Sequence, residues 1–184
     1  MARQTVEERR AQLLQLGREL FSTHAYDAIS TDDIARAAGI SKGLLYHYFP
    51  GKREYYVATV ASLADELLAH LTFARDEEVH VVLERTLGQF LDFIDANSAM
   101  YQALLRGGIG MDSEVNALVE RVRRTVLERI RDLVGLSDDP LTRLRLYGWL
   151  GFAEATSIEW LARREVDRGR LMELWMEQLV VLAA

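Results

Sequence analysis

Ser30-Thr31-Asp32-Asp33-Ile34-Ala35-Arg36-Ala37-Ala38-Gly39-Ile40-Ser41-Lys42-Gly43-Leu44-Leu45-Tyr46-His47-Tyr48-Phe49-Pro50-Gly51-Lys52-Arg53 carries two short helical patterns separated by a glycine. Ser30 is a good N-cap type, and Asp33 stands three positions on, the spacing of a capping box. Ile34, Ala35 and Ala38 then give a helix of about two turns its apolar side. Gly39 lacks a Cβ and is free to take positive φ, so it ends that helix, lets Ile40 fold back and leaves Ser41 to cap a second one. The spacing predicts two helices held at a set angle by a short turn, the layout of a helix-turn-helix.

On the second helix Leu45 and Phe49 lie four residues apart and face inward, while Lys42, Gly43, Leu44, Tyr46 and His47 fall on its first turn and outer surface. A helix presented this way enters a major groove with its N-terminal turn against the base edges. Lys42 is the leading candidate for base contact, because its ammonium can donate to guanine O6 and N7. Gly43 removes a side chain where helix and duplex come closest. Tyr46 and His47 offer donors to backbone phosphates, which position and do not read. Pro50-Gly51 stops the helix and Lys52 and Arg53 open the next, which places two cations at a positive helix end suited to a phosphate. Tyr48 and Phe49 suit the core of a small three-helix unit better than a groove, and Tyr46 the reverse. A single Lys or His on a helix is usually just solvated; the spacing of the whole set is what points to nucleic acid.

Over residues 10–56 the chain resembles the TetR, or tetracycline-repressor-like, family of bacterial transcriptional regulators. The resemblance rests on Gly17-Arg18-Glu19-Leu20-Phe21, Ala25-Tyr26-Asp27-Ala28, Asp33-Ile34-Ala35, Ala38-Gly39-Ile40-Ser41-Lys42-Gly43 and Leu45-Tyr46-His47-Tyr48-Phe49-Pro50-Gly51-Lys52. It implies DNA contacts at Thr31, Lys42, Gly43, Leu44, Tyr46, His47 and Lys52. Three positions depart from the family pattern. Leu44 stands where many members carry Thr, so an apolar group suited to a thymine methyl replaces a hydroxyl. Gly51 replaces a common Ser or Asn cap, and Ala25 a common turn glycine.

Composition agrees with a helical regulator without requiring one. Prolines occur only at positions 50 and 140, and long helical periodicities fill the rest of the 184 residues, so the expected class is all-α. The expected organisation is a helix-turn-helix DNA-binding domain over residues 1–52 and a helical effector-binding and dimerisation domain over 53–184. There are no cysteines, which excludes disulfides and cysteine-ligated metals. No apolar run reaches about 18 residues and the N-terminal Met-Ala-Arg-Gln-Thr-Val-Glu-Glu is not a secretory leader, so a cytoplasmic chain with no membrane partner is expected. The net charge of −6 is uneven: residues 1–54 hold eight basic and seven acidic side chains, and the acidity belongs to the remainder. A local balance of +1 predicts modest non-specific affinity and a need for two reading heads.

Further along, periodicity predicts helices near 5–23, 52–71, 77–96, 98–106, 112–134, 140–164 and 167–182. Asp139 and Pro140 mark a helix start, as N-cap and first helical residue. Gly148, Gly151, Ala153 and Ala155 alternate there with Tyr147, Trp149, Phe152 and Trp160. The last helix repeats Leu171, Leu174, Trp175, Gln178 and Leu179 at similar spacing. These two helices are read as a homodimer interface, a four-helix bundle made by two copies. The competing reading is that they close the monomer's own core. A two-fold dimer implies a palindromic operator with half-sites about one helical turn apart.

Large apolar residues in the body, with a few polar anchors, suggest a small-molecule effector site of apolar or amphipathic character at Phe90, Phe93, Met100, Tyr101, Leu104, Met111, Trp149, Phe152 and Glu154. Aromatics and methionines at helical spacing are more often core than pocket. No cofactor, metal or catalytic residue is expected: there is no cysteine nucleophile, and the four histidines show no i, i+4 pair. The expected function is a repressor released from its operator by an effector. The alternative is a helical ligand carrier or scaffold that does not bind DNA.

Overall fold

The computed structural model describes residues 5–74, 76–105 and 112–183, and all of their regular structure is helical. The helices are α1 (Val6–Thr23), α2 (Thr31–Ala37), α3 (Lys42–Tyr48), α4 (Lys52–His70), α5 (Val79–Ala96), α6 (Ser98–Leu105), α7 (Ser113–Val134), α8 (Pro140–Arg163) and α9 (Arg168–Ala183), with one 3₁₀ turn at Tyr26–Ala28. Their starts follow the caps. Thr5 with Glu8 and Ser30 with Asp33 both complete capping boxes, the Ser41 hydroxyl accepts the Leu44 N–H, and Asp139 accepts the N–H groups of Leu141 and Thr142. None of the described helices is long and apolar enough to cross a membrane. Contacts divide the chain into two compact units, Met1–Asp65 with Ala99–Leu118, and Glu66–Ser98 with Val119–Ala184.

In the first unit Leu13, Leu14, Gly17 and Phe21 form the buried stripe of α1. The Phe21 ring packs against Tyr26, Tyr55 and Tyr56, and Phe49 meets Tyr55 at 4.9 Å between ring centroids. The Tyr55 hydroxyl donates to the Leu13 carbonyl, tying α4 to α1. The two helices leave no room for a side chain at Gly17, since a Cβ there would lie 2.5 Å from the Thr59 hydroxyl.

In the second unit α8 and α9 are joined by a relay of indoles. The Trp149 Nε1–H donates to the Trp175 carbonyl at 2.9 Å, and the Trp175 Nε1–H donates to the Thr156 hydroxyl at 2.8 Å. Leu171, Trp175 and Leu179 form the inward face of α9, and Leu146, Trp149, Ala153 and Leu161 that of α8. The apolar repeats of both helices therefore split. Leu141, Leu144, Tyr147 and Leu174 are exposed, and open space lies beyond Gly148 and Gly151.

Candidate nucleic-acid interface

The turn between α2 and α3 is a complete Schellman motif. Gly39 has φ +64°, its N–H donates to the Arg36 carbonyl, and the Ile40 N–H reaches back to the Ala35 carbonyl at 3.0 Å. Ile34 and Ala35 of α2 and Leu45 of α3, with the following Phe49, are buried, so the angle between the two helices is set by packing. Outward-facing positions of α3 are then decided by elimination. Lys42, Gly43, Leu44, Tyr46 and His47 are all exposed, Tyr48 is half-buried, and Thr31 at the head of α2 is half-buried. Space around Gly43 is open: an added Cβ would find nothing closer than the Ser41 hydroxyl at 4.0 Å. The protein interior therefore places no demand for glycine at this position.

Three cations of this face already hold partners. Lys42 Nζ donates to the Asp32 carboxylate at 2.8 Å, which holds its ammonium above the ordinary lysine range. Lys52 Nζ donates to the Tyr26 carbonyl and lies 4.2 Å from the centre of the Tyr26 ring; an ammonium has three donors, so two remain for a phosphate. Arg53 is more fully committed. Its guanidinium grips Asp112 through Nε and Nη2 at 2.8 and 3.0 Å and adds Glu114 at 3.1 Å. The phosphate corner expected from Lys52 and Arg53 thus has one cation to offer, because the arginine fork is matched by carboxylates. Sequence spacing could not reveal this clamp, since its partners stand 59 and 61 positions away.

These pairings give the first unit a definite response to acid. The Arg53 guanidinium holds the Asp112 carboxyl below its usual range, and the Ser30 hydroxyl and backbone N–H do the same for Asp33. A carboxyl depressed in the folded state stabilises at pH above its unfolded value of about 3.9 and loses that contribution as pH falls through the folded one. Thermal melts from neutral pH to about pH 3 are therefore expected to show a falling midpoint, with the fall reduced in Asp112→Asn. An acid slope unchanged by that substitution would contradict the assignment.

The residues read as an effector site fall into different settings. Phe93 and Trp149 are buried, Phe90 and Phe152 are half-buried, and Glu154 is half-buried, all in the second unit. Met100 is buried, and Tyr101 and Leu104 are half-buried, in the first. Met111 and the Gly107-Gly108-Ile109-Gly110 segment lie outside the described residues. Two of the expected residues spend their polar atoms within the protein. Trp149 donates to Trp175, and the Glu154 carboxylate is gripped by both arms of Arg123 at 2.9 and 2.8 Å. The second unit also has open clefts of about 300 Å³, at Leu71, Phe73, Arg129, Asp132 and Leu133, and about 460 Å³, at His80, Glu84, Arg168, Met172 and Met176. The residues expected for the effector line neither.

Comparison with known proteins places this geometry. Residues 13–59 match the family model described as bacterial regulatory proteins, tetR family, and residues 79–182 match the tetracyclin repressor-like C-terminal domain. The HTH-type transcriptional activator FasR of Mycolicibacterium smegmatis is 30% identical over 130 residues, covering 70% of this chain and 59% of that protein. The chain thus spans about three fifths of the length of this curated relative. A tetR-family transcriptional regulator from Streptomyces coelicolor is similar at a TM-score of 0.85 and 34% identity, over 98% of this chain and 84% of the other. The transcriptional regulator FadR from Bacillus subtilis, solved in complex with stearoyl-CoA, is alike in fold alone, with a TM-score of 0.66 and 13% identity over 95% and 97% of the two chains.

Proposed function

This chain belongs to the TetR family of bacterial regulatory proteins, and from that premise we propose that it binds duplex DNA as a homodimer and regulates transcription in response to a small molecule. One observation carries the reading: α3 is packed from behind through Leu45 and Phe49 while its first turn and outer face stay free for a groove. The DNA contacts are Thr31, Lys42, Gly43, Leu44, Tyr46, His47 and Lys52. Lys42 and Leu44 read base edges, and the others position the head on phosphates or let it approach.

The dimer is assigned to the outward faces of α8 and α9. Leu144 is 71% exposed and Val181 67%, and with Leu141, Tyr147 and Leu174 they form more apolar surface than solvent alone favours. The bare backbone at Gly148 and Gly151 lets a second helix approach closely. The operator is accordingly palindromic.

The effector is apolar or amphipathic and lies against Phe90, Phe93 and Phe152, with Trp149 as a wall and the Arg123–Glu154 pair as its polar end. That the same fold seats stearoyl-CoA in the Bacillus subtilis protein supports this class. Binding releases the operator by favouring a dimer whose heads are wrongly spaced. We place the chain as a cytoplasmic repressor. The name of FasR supports a second reading, in which the same binding activates when the operator lies upstream of the promoter.

Titration of the full chain against duplex DNA from upstream of its own gene tests the proposal. Binding that weakens steeply with added salt and prefers that duplex over randomised sequence is expected. No retardation of either duplex at low salt would favour the carrier or scaffold alternative.

A further inference from the structure

Lys42 is paired across the helix-turn-helix with Asp32, ten positions earlier, at 2.8 Å. Both side chains are open to solvent, 44% and 60% exposed. The fold does not explain the pair. Ser30 and Asp33 cap the α2 N-terminus, Asp32 adds a favourable first-turn charge that needs no lysine beside it, and exposed ion pairs contribute little to folding. The effect of the carboxylate falls instead on the lysine it touches. A phosphate approaching Lys42 meets a neutral pair in place of a free cation, so the non-specific pull is weakened. The ammonium also loses its freedom: one N–H is committed to Asp32, and the other two are held in place on a stem that would otherwise swing.

We infer that Asp32 is a specificity-determining residue of the DNA interface, acting through Lys42: it withholds the lysine from phosphates and presents it to base-edge acceptors. Specificity is a difference of affinities, and Asp32 enlarges it by weakening the wrong complex. The whole head carries a balance of only +1, so one carboxylate beside the leading lysine is a large share of the local charge. This inference rests on the DNA-binding reading above.

The test uses the full chain, a randomised duplex pool, and the duplex that the wild type enriches from that pool. Asp32→Asn is expected to bind the randomised pool roughly threefold more tightly per head and to steepen its salt dependence by about 0.9 per head, as one further phosphate contact does. Its preference for the enriched duplex is expected to fall. In a Lys42→Gln background the same substitution is expected to change neither quantity. Glu7→Gln, which alters net charge equally on α1, is expected to leave the salt slope unchanged. Salt slope and preference equal to wild type in Asp32→Asn, or the same shift from Glu7→Gln, would overturn the inference. Asp32→Ser, melted alongside, guards against misfolding: loss of folding in both Asp32 variants would make the carboxylate structural and overturn it also. Failure of the wild type to bind any duplex at low salt strikes the DNA-binding reading itself, and so is distinguishable.

Discussion

Gly43→Leu is expected to fold as the wild type does and to lose its preference for the operator by at least about a thousandfold, the ratio that separates specific from non-specific binding. Both halves follow from one geometric fact. A Cβ at Gly43 would meet nothing closer than the Ser41 hydroxyl at 4.0 Å, so the interior does not resist a side chain, and replacing glycine in a helix removes a conformational cost. Gly43→Ala should therefore raise stability, by up to about 1 kcal/mol. Yet Gly43 lies on the first turn of α3, between Lys42 and Leu44, where a bulky side chain would stand the helix off from the base edges. Opposite signs for folding and binding distinguish this position from a packing residue such as Gly17, where a Cβ would meet the Thr59 hydroxyl. Melts and duplex titrations of the two Gly43 variants measure both effects. A Gly43→Leu protein that discriminates operator from random sequence as well as wild type would refute the role given to α3.

Trp175→Ala should be the most damaging single truncation in the second unit, at about 3–5 kcal/mol, or roughly 6–20 °C in melting midpoint for a chain of this size. Trp175 is completely buried, its ring lies beside Phe90, its carbonyl receives the Trp149 indole and its own indole reaches Thr156. Truncation leaves a cavity where α8 and α9 meet and removes the indole donor to Thr156, whose hydroxyl keeps its own bond to the Phe152 carbonyl. Trp175→Phe keeps most of the volume and loses that hydrogen bond, so about 1 kcal/mol is expected. Thermal denaturation followed by circular dichroism separates the two. An alanine variant within about 1 kcal/mol of wild type would show that the relay does not hold these helices together.

Local chemistry was readable from residue order. Ser30 with Asp33, Ser41, and Asp139 with Pro140 each announce a helix start through side chains within three positions, and Gly39 announces an end because few other residues take its φ. The inward pair Leu45 and Phe49 follows from helical spacing, and with it the set left facing solvent. Contacts between distant segments were not readable. Asp32 meets Lys42 only because the turn folds α2 against α3, and Asp112 reaches Arg53 across 59 positions. Both change the electrostatics of the candidate interface without any trace in periodicity. The apolar repeats of α8 and α9 fit a partner's surface or the chain's own core equally by spacing, and the structure gives each helix two faces. Trp149, Leu171 and Trp175 go to the core, and Leu144 and Leu174 go to the surface. Spacing shows that a residue belongs to a stripe, but which of two adjacent stripes is covered depends on the neighbouring helix.

If α3 enters a major groove once in each half of a two-fold assembly, footprinting of the wild-type protein on its enriched duplex, with the number of bound chains measured in parallel, will show it. Two chains per site and two major-groove patches on one face of the duplex, about one helical turn apart, are expected, both lost with Gly43→Leu. A single patch, protection confined to the minor groove, or two patches that survive Gly43→Leu would contradict it.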